Sequence, residues 1–149
     1  MFKTILVALD EPKLASDVIE ALNQLQWQPD ATLVLSHVML PSEDIPNRDA
    51  TLPGHAPADT THQQLEEQLR HYQPALPPAK AVVEVVLGDP AEEIVRLANI
   101  HTADLIILGN RGLTGLNRIL QGSVSSQVLE DAPCSVMVIK AKVSASSAV

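Results

Sequence analysis

The chain has 149 residues, 46% of them hydrophobic, which is enough apolar material for one domain with its own core. A net charge of −8 and a pI near 4.9 argue against nucleic acid and anionic membranes as partners. The only aromatic residues, Phe2, Trp27 and Tyr72, offer no stacking platform for single strands. One cysteine, Cys134, excludes an internal disulfide, and no apolar run nears the roughly 18 residues of a membrane span. Met1-Phe2-Lys3 leads directly into a strand, so no signal peptide is read and the cytosol is the expected compartment.

Residues 3–9, KTILVAL, form an apolar, β-branched run, the pattern of a parallel strand buried on both faces. Asp10 follows at its carboxyl end, where open α/β sheets bind ligands. A carboxylate there can accept hydrogen bonds from ribose hydroxyls or an adenine amino group. It can equally well open the turn to the next helix. That helix is predicted from Leu14 to Leu25, with Leu14, Val18, Leu22 and Leu25 on one stripe. Thr32 to Val38 reads as the second strand, in which His37 is simplest as a structural strand residue. Residues 40–58 carry four prolines and Gly54, cannot make a regular element, and read as a variable lid or partner surface. His55 and His62 have no metal-site spacing and are expected to be solvated.

A second helix is predicted over residues 60–72, with Leu65, Leu69 and Tyr72 on one face and Asp59, Thr60 and Thr61 as candidate caps. Ala81 to Leu87 is the third strand, and Glu84 within it suits a partly exposed edge. Asp89-Pro90-Ala91-Glu92 fits a helix start, with Asp89 as the cap and Pro90 in the first position. The helix runs to about His101, with Ile94, Leu97, Ala98 and His101 in phase. Asp104 to Leu108 is the fourth strand, and Ser135 to Ile139 the fifth. Cys134, at the head of that last strand, reads as a small core residue. The tail 141–149 is small, polar and expected to fray.

Between the fourth and fifth strands stands a loop punctuated by Gly109, Gly112, Gly115 and Gly122. A helix follows it, read as starting at Ser123, with Val124, Val128 and Leu129 at helical spacing. Strand, glycine loop and helix N-terminus can form an anion site. Glycines let backbone approach a phosphate, and the first helical amides have no intrahelical partner. An ordinary flexible loop would look the same. A Walker P-loop is excluded, because no Lys follows the glycines. A dinucleotide fingerprint is excluded, because no GxGxxG stands at the first strand.

The spacing Gly109-x2-Gly112-x9-Gly122-Ser123 resembles the ATP-binding signature of the universal stress protein family. FKTILVALD, GDP before a helix, ADLIILGNRG, LQGSVSSQVL and APCSVMVIK resemble that family's landmarks in their order. The resemblance implies an α/β fold: a Rossmann-like, adenine nucleotide alpha-hydrolase-like doubly wound domain over residues 1–149. Its five-stranded parallel sheet would have the order 3-2-1-4-5. It also implies ATP as ligand, with Mg2+ as a possible counter-ion. The implied binding residues are Ala8, Asp10, Val38, Leu108, Gly109, Arg111, Gly112, Gly122, Ser123 and Val124. The family further implies a homodimer through the last strand, possibly a dimer of dimers, and a possible regulated partner such as a transporter. One segment departs from the family: Glu11-Pro12-Lys13-Leu14-Ala15-Ser16 replaces a common Gly-Ser, which bears on the adenosine pocket.

No catalytic residue and no metal-ligand set is read from the chain, since no base or metal-holding carboxylate accompanies the glycine loop. Three readings stay open at this point. One is a nucleotide-dependent regulatory module in a stress response, the second a slow ATP hydrolase or phosphotransferase, and the third an interaction protein that kept the fold without the ligand.

Overall fold

The computed structural model describes residues 2–9, 16–40, 58–77, 80–110 and 116–140. Strands and helices alternate through it: β1 (Thr4–Ala8), α1 (Ser16–Gln24), β2 (Thr32–Met39), α2 (Ala58–His71), β3 (Lys80–Leu87), α3 (Pro90–Ile100), β4 (Leu105–Asn110), α4 (Leu116–Asp131) and β5 (Ser135–Lys140). A short 3-10 turn, Gln73–Ala75, follows α2. The sheet has five parallel strands in the order β3-β2-β1-β4-β5, as the resemblance implied. The apolar runs become β1, β2 and β4 because these strands lie between others and are covered on both faces. Leu6, Val7, Leu33, Val34, Ile106 and Ile107 are all fully buried.

Side-chain alternation divides the core in two. Ile5, Val7, Leu9, Leu33, Leu35, Leu105 and Ile107 pack with Val18, Ile19 and Leu22 of α1 and Leu69 of α2. Leu6, Ala8, Val34, Ile106 and Leu108 pack with Ile94, Leu97 and Ala98 of α3 and Val128 of α4. Of the predicted stripes, Val18, Leu22, Leu69, Ile94, Leu97, Ala98 and Val128 are buried, Leu25, Leu65, Tyr72 and His101 are partly so, and Leu14 lies outside the described residues. Leu129 is not buried: it is 58% exposed, on the far side of α4.

The start of α3 is built as the sequence predicts. The Asp89 carboxylate accepts the Glu92 amide at 3.0 Å, and Pro90 occupies the first turn. Gly88, at φ +153°, turns the chain from β3 into this cap, and a Cβ there would lie 2.9 Å from Glu93 Cγ. At the other end of α3 the chain closes a Schellman motif. The Ala103 amide donates to the Ala98 carbonyl at 2.8 Å, and the Thr102 amide to Asn99 at 3.3 Å. Thr102 takes the left-handed position, at φ 52°.

Two expectations are corrected. α4 begins at Leu116, not Ser123, so Gly122 and Ser123 lie inside the helix. Leu116, Ile119 and Leu120 already have helical spacing, and one interior glycine costs only about 1 kcal/mol, so the helix continues through it. His62 is not simply solvated. It is half-buried, and its Nε2 donates to the Val85 carbonyl at 2.8 Å on the outer edge of β3. Strand edges with unpaired carbonyls favour such cover.

Candidate site at the carboxyl ends of β1 and β4

The chain leaves β1 toward β2 on one side, and returns through α3 to β4 on the other. The strand order therefore reverses between β1 and β4, and an open α/β sheet has its crevice at that carboxyl edge. Ladder register gives the crevice its shape. Ala8 pairs with Ser36 of β2 and Leu108 of β4. Beyond those partners β2 continues to Met39 and β4 to Asn110, while β1 has already ended. The central strand is thus the short one, and the carboxyl edge where its two neighbours outrun it is the notch.

Backbone parity shows what faces the notch. The Leu9 amide donates to the Ser36 carbonyl at 2.8 Å, so Ser36 points its backbone toward β1. Val38, two residues on, carries its backbone groups on the same edge of β2. On β4 the Asp104 amide donates to the Thr4 carbonyl at 2.8 Å, so Leu108 and Asn110 share the β1-facing edge. Ala8, Val38 and Leu108 are thereby brought together at one end of the sheet. Their side chains lie on the α3 and α4 face, and Ala8 and Leu108 are buried there. What these positions can offer a ligand is backbone.

Gly109 sits at the same edge but on the opposite face. A Cβ there would lie 3.0 Å from Val18 Cγ2 of α1. Its missing side chain thus lets α1 close on β4, a packing role that the sequence reading did not foresee. Val124 packs its side chain against the α3-side core, one helical turn from fully buried Val128. Because α4 starts at Leu116, the amides of Gly122, Ser123 and Val124 belong to the helix interior. The amides without intrahelical acceptors are those of the first turn after Leu116, which follows β4 at the carboxyl edge. Asp10, Arg111 and Gly112 lie outside the described residues, as do the segments 11–15 and 41–57 and the side chain of Ser123.

Beside this edge β2 carries two buried polar side chains, both hydrogen-bonded to β1 and the residue after it. Ser36 is fully buried, and its hydroxyl donates to the Val7 carbonyl at 3.0 Å. His37 is 8% exposed, with Nδ1 2.8 Å from the Leu9 carbonyl oxygen. Neither contact had a signal in the sequence beyond a polar residue interrupting an apolar strand. At the opposite end of the sheet the Asp104 carboxylate accepts the amides of Lys3 and Thr4, each at 2.9 Å. These two bonds, then the nearby positive charges, hold its pKa below the usual carboxylate value. Burial, then the Asp104 charge, pushes the Cys134 thiol up, as expected of a partly buried thiol without an activating partner. Among the described residues no group of His, Cys, Asp or Glu could hold a metal ion, and no helix is long and apolar enough to cross a membrane.

A parallel sheet of this order, notched at its switch point, defines a doubly wound α/β protein of the adenine nucleotide alpha-hydrolase-like type. The model of the Universal stress protein family matches residues 1–140, and the chain belongs to that family. It is 33% identical over 150 residues to a universal stress protein of Thermus aquaticus, covering 94% of this chain and all of that one. Universal stress protein MJ0531 of Methanocaldococcus jannaschii is 49% identical over 61 residues, a match that spans 41% of this chain and 36% of that relative. The solved structure of MJ0577 from the same organism superposes with a TM-score of 0.70 at 26% identity, covering 97% of this chain and 99% of that one. Two further structures of this fold were solved with adenine nucleotides. The Arabidopsis thaliana protein At3g01520 has AMP bound (TM-score 0.62, 20% identity, 94% of this chain and 92% of that one). The Archaeoglobus fulgidus universal stress protein is in complex with dAMP (0.54, 20%, 92% and 97%).

Proposed function

We propose that this protein is an ATP-binding regulatory module of the stress-protein type, acting as a cytoplasmic homodimer whose surface responds to nucleotide occupancy. The observation that carries the reading is the notch itself. The backbone edges of Val38 and of Leu108 and Asn110 face each other across the end of β1, at the point where the loop with the Gly109-x2-Gly112-x9-Gly122-Ser123 spacing leaves β4. The adenine nucleotides held by two proteins of the same fold support an adenine ligand here.

In this reading adenosine lies toward Asp10 and the backbone of Ala8 and Val38. The phosphates lie toward Leu108, Gly109, Arg111 and Gly112. The first-turn amides of α4 lack intrahelical acceptors, and a helix N-terminus favours negative charge, so in this reading they serve the phosphates. Gly122 gives close approach along α4, and Ser123 supplies a hydroxyl, since their amides and that of Val124 are engaged within the helix. Charge-assisted hydrogen bonds contribute on the order of 1.5–3 kcal/mol each. A few of them, after binding costs, reach micromolar affinity, about −8 kcal/mol. Mg2+ would accompany ATP as a counter-ion and requires no protein carboxylate. Homodimer pairing is assigned to β5, an edge strand whose Val136, Met137, Val138 and Ile139 are only half-buried. A regulated protein partner, such as a transporter, fits a module that binds without turning over.

The test is to denature purified protein, identify any released nucleotide, and titrate ATP, AMP and GTP by calorimetry. Micromolar ATP binding that is lost on Gly122→Val supports the reading. A folded dimer that binds none of the three overturns it and leaves protein interaction as the function. Metal-dependent turnover abolished by Asp10→Asn would instead assign a slow hydrolase.

A further inference from the structure

We infer that His37 is the positioning residue of the nucleotide notch, acting by fixing the Leu9 carbonyl immediately before Asp10; this rests on the nucleotide-binding reading above. The geometry is specific. His37 is more than nine-tenths buried near the carboxyl end of β2, and its Nδ1 lies 2.8 Å from the Leu9 carbonyl oxygen. A carbonyl oxygen only accepts, so Nδ1 carries the proton. Leu9 is held at three points. Its amide donates to the Ser36 carbonyl, its carbonyl accepts from His37, and its side chain, 4% exposed, is packed in the core. The backbone of Leu9 faces β2, and the β1–β2 pairing ends one residue earlier, at Ala8 and Ser36. The histidine thus takes over where the sheet stops.

A planar ring suits the role, because two χ angles place the donor and close packing fixes both. The residue after Leu9 is the carboxylate assigned to adenosine, and its starting direction depends on the Leu9 peptide. His37 touches no ligand in this scheme. It orients the chain that does.

The position of the donor gives the test. Asparagine carries its amide nitrogen the same number of bonds from Cα as the histidine Nδ1. Glutamine carries it one bond further, and leucine carries none. ATP titration of wild type, His37→Asn, His37→Gln and His37→Leu is read beside thermal unfolding of each. In the wild type, proton–nitrogen correlation spectra of the imidazole should show Nδ1 protonated. His37→Asn should bind ATP within about threefold of wild type, while His37→Gln loses roughly tenfold or more, the loss expected when a buried carbonyl goes unpaired. A merely structural role would lower the melting temperature of both variants without separating their affinities. Equal affinities for Asn and Gln, or an imidazole protonated only at Nε2, overturn the inference while leaving ATP binding intact. A wild type that binds no nucleotide overturns the functional reading and this inference with it. If His37→Leu does not fold, the Asn and Gln pair still decides.

Discussion

Asp104, just before β4, and Gly109, near its end, each do work that their positions in the sequence hide. Asp104 closes the amino end of the sheet by accepting two amides from the start of β1. Its pKa is lowered in the folded state, so its contribution to stability is complete above the ordinary carboxylate value of about 3.9 and is lost as pH falls through the lower folded value. Urea midpoints measured from pH 6 downward should therefore fall on acidification. Asp104→Asn should flatten that slope and lower the midpoint at neutral pH. Gly109 is the site of a packing constraint. Gly109→Ala should destabilise by about 1–2 kcal/mol, because Val18 must move to admit the methyl. In a Val18→Ala background the added cost should nearly vanish, and a double-mutant cycle in urea measures the coupling. If the cost persists without Val18, the glycine is required for some other reason.

The ends of α3 and the body of α4 carry the next pair of expectations. Asp89 with Pro90 is a start signal that sequence alone discloses, because the cap and its amide are three residues apart. The end of α3 falls where the sequence predicts, at Ile100 with His101 as the cap, but its closing turn had no local signal. Thr102 stands where a Schellman motif usually has glycine, and a β-branched residue at φ 52° is strained by about 1 kcal/mol. Thr102→Gly should raise stability by about that amount in chemical denaturation, less the entropy glycine adds to the unfolded chain. Gly122 inside α4 makes the converse case. Gly122→Ala should stabilise the helix by about 0.5–1 kcal/mol, and it should weaken ATP binding if close approach of phosphate needs the missing Cβ. Stability and affinity moving in opposite directions would separate the two demands on one residue. Affinity unchanged by the methyl would remove Gly122 from the site.

The protein as a unit should couple ligand to fold. A nucleotide that binds only the native state stabilises it by RT ln(1 + [L]/Kd), about 2.7 kcal/mol at one hundred times Kd. Thermal unfolding with saturating ATP should therefore shift upward by several degrees, and with GTP by less if adenine is recognised at the Val38 edge. An equal shift with inorganic triphosphate would mean that the phosphate loop binds without the β1–β2 side of the notch.

Much of this arrangement was legible in one dimension. Strands buried on both faces must be continuous apolar runs, and helices covering them must be amphipathic, so KTILVAL, TLVLSHV and DLIIL announced themselves. The interior helix stripes and the Asp89 cap were legible for the same reason: each depends on neighbours within a few residues. The sheet order came from family resemblance, not from local pattern. Contacts between distant segments had no such signal. Asp104 meets Lys3 across 101 positions, His37 meets Leu9 across 28, and His62 meets Val85 across 23. The start of α4 was misplaced because glycine punctuation outweighed a weaker helical phase in Leu116, Ile119 and Leu120, a balance that packing settles. The sequence by itself determined the alternation of elements, the apolar faces and the candidate ligand loop, because these follow from the periodicity and chemistry of adjacent residues. The notch at the end of β1, the clamp on Leu9 and the use of Gly109 by Val18 arose only on folding, because each depends on how far neighbouring strands run past one another once the sheet is assembled.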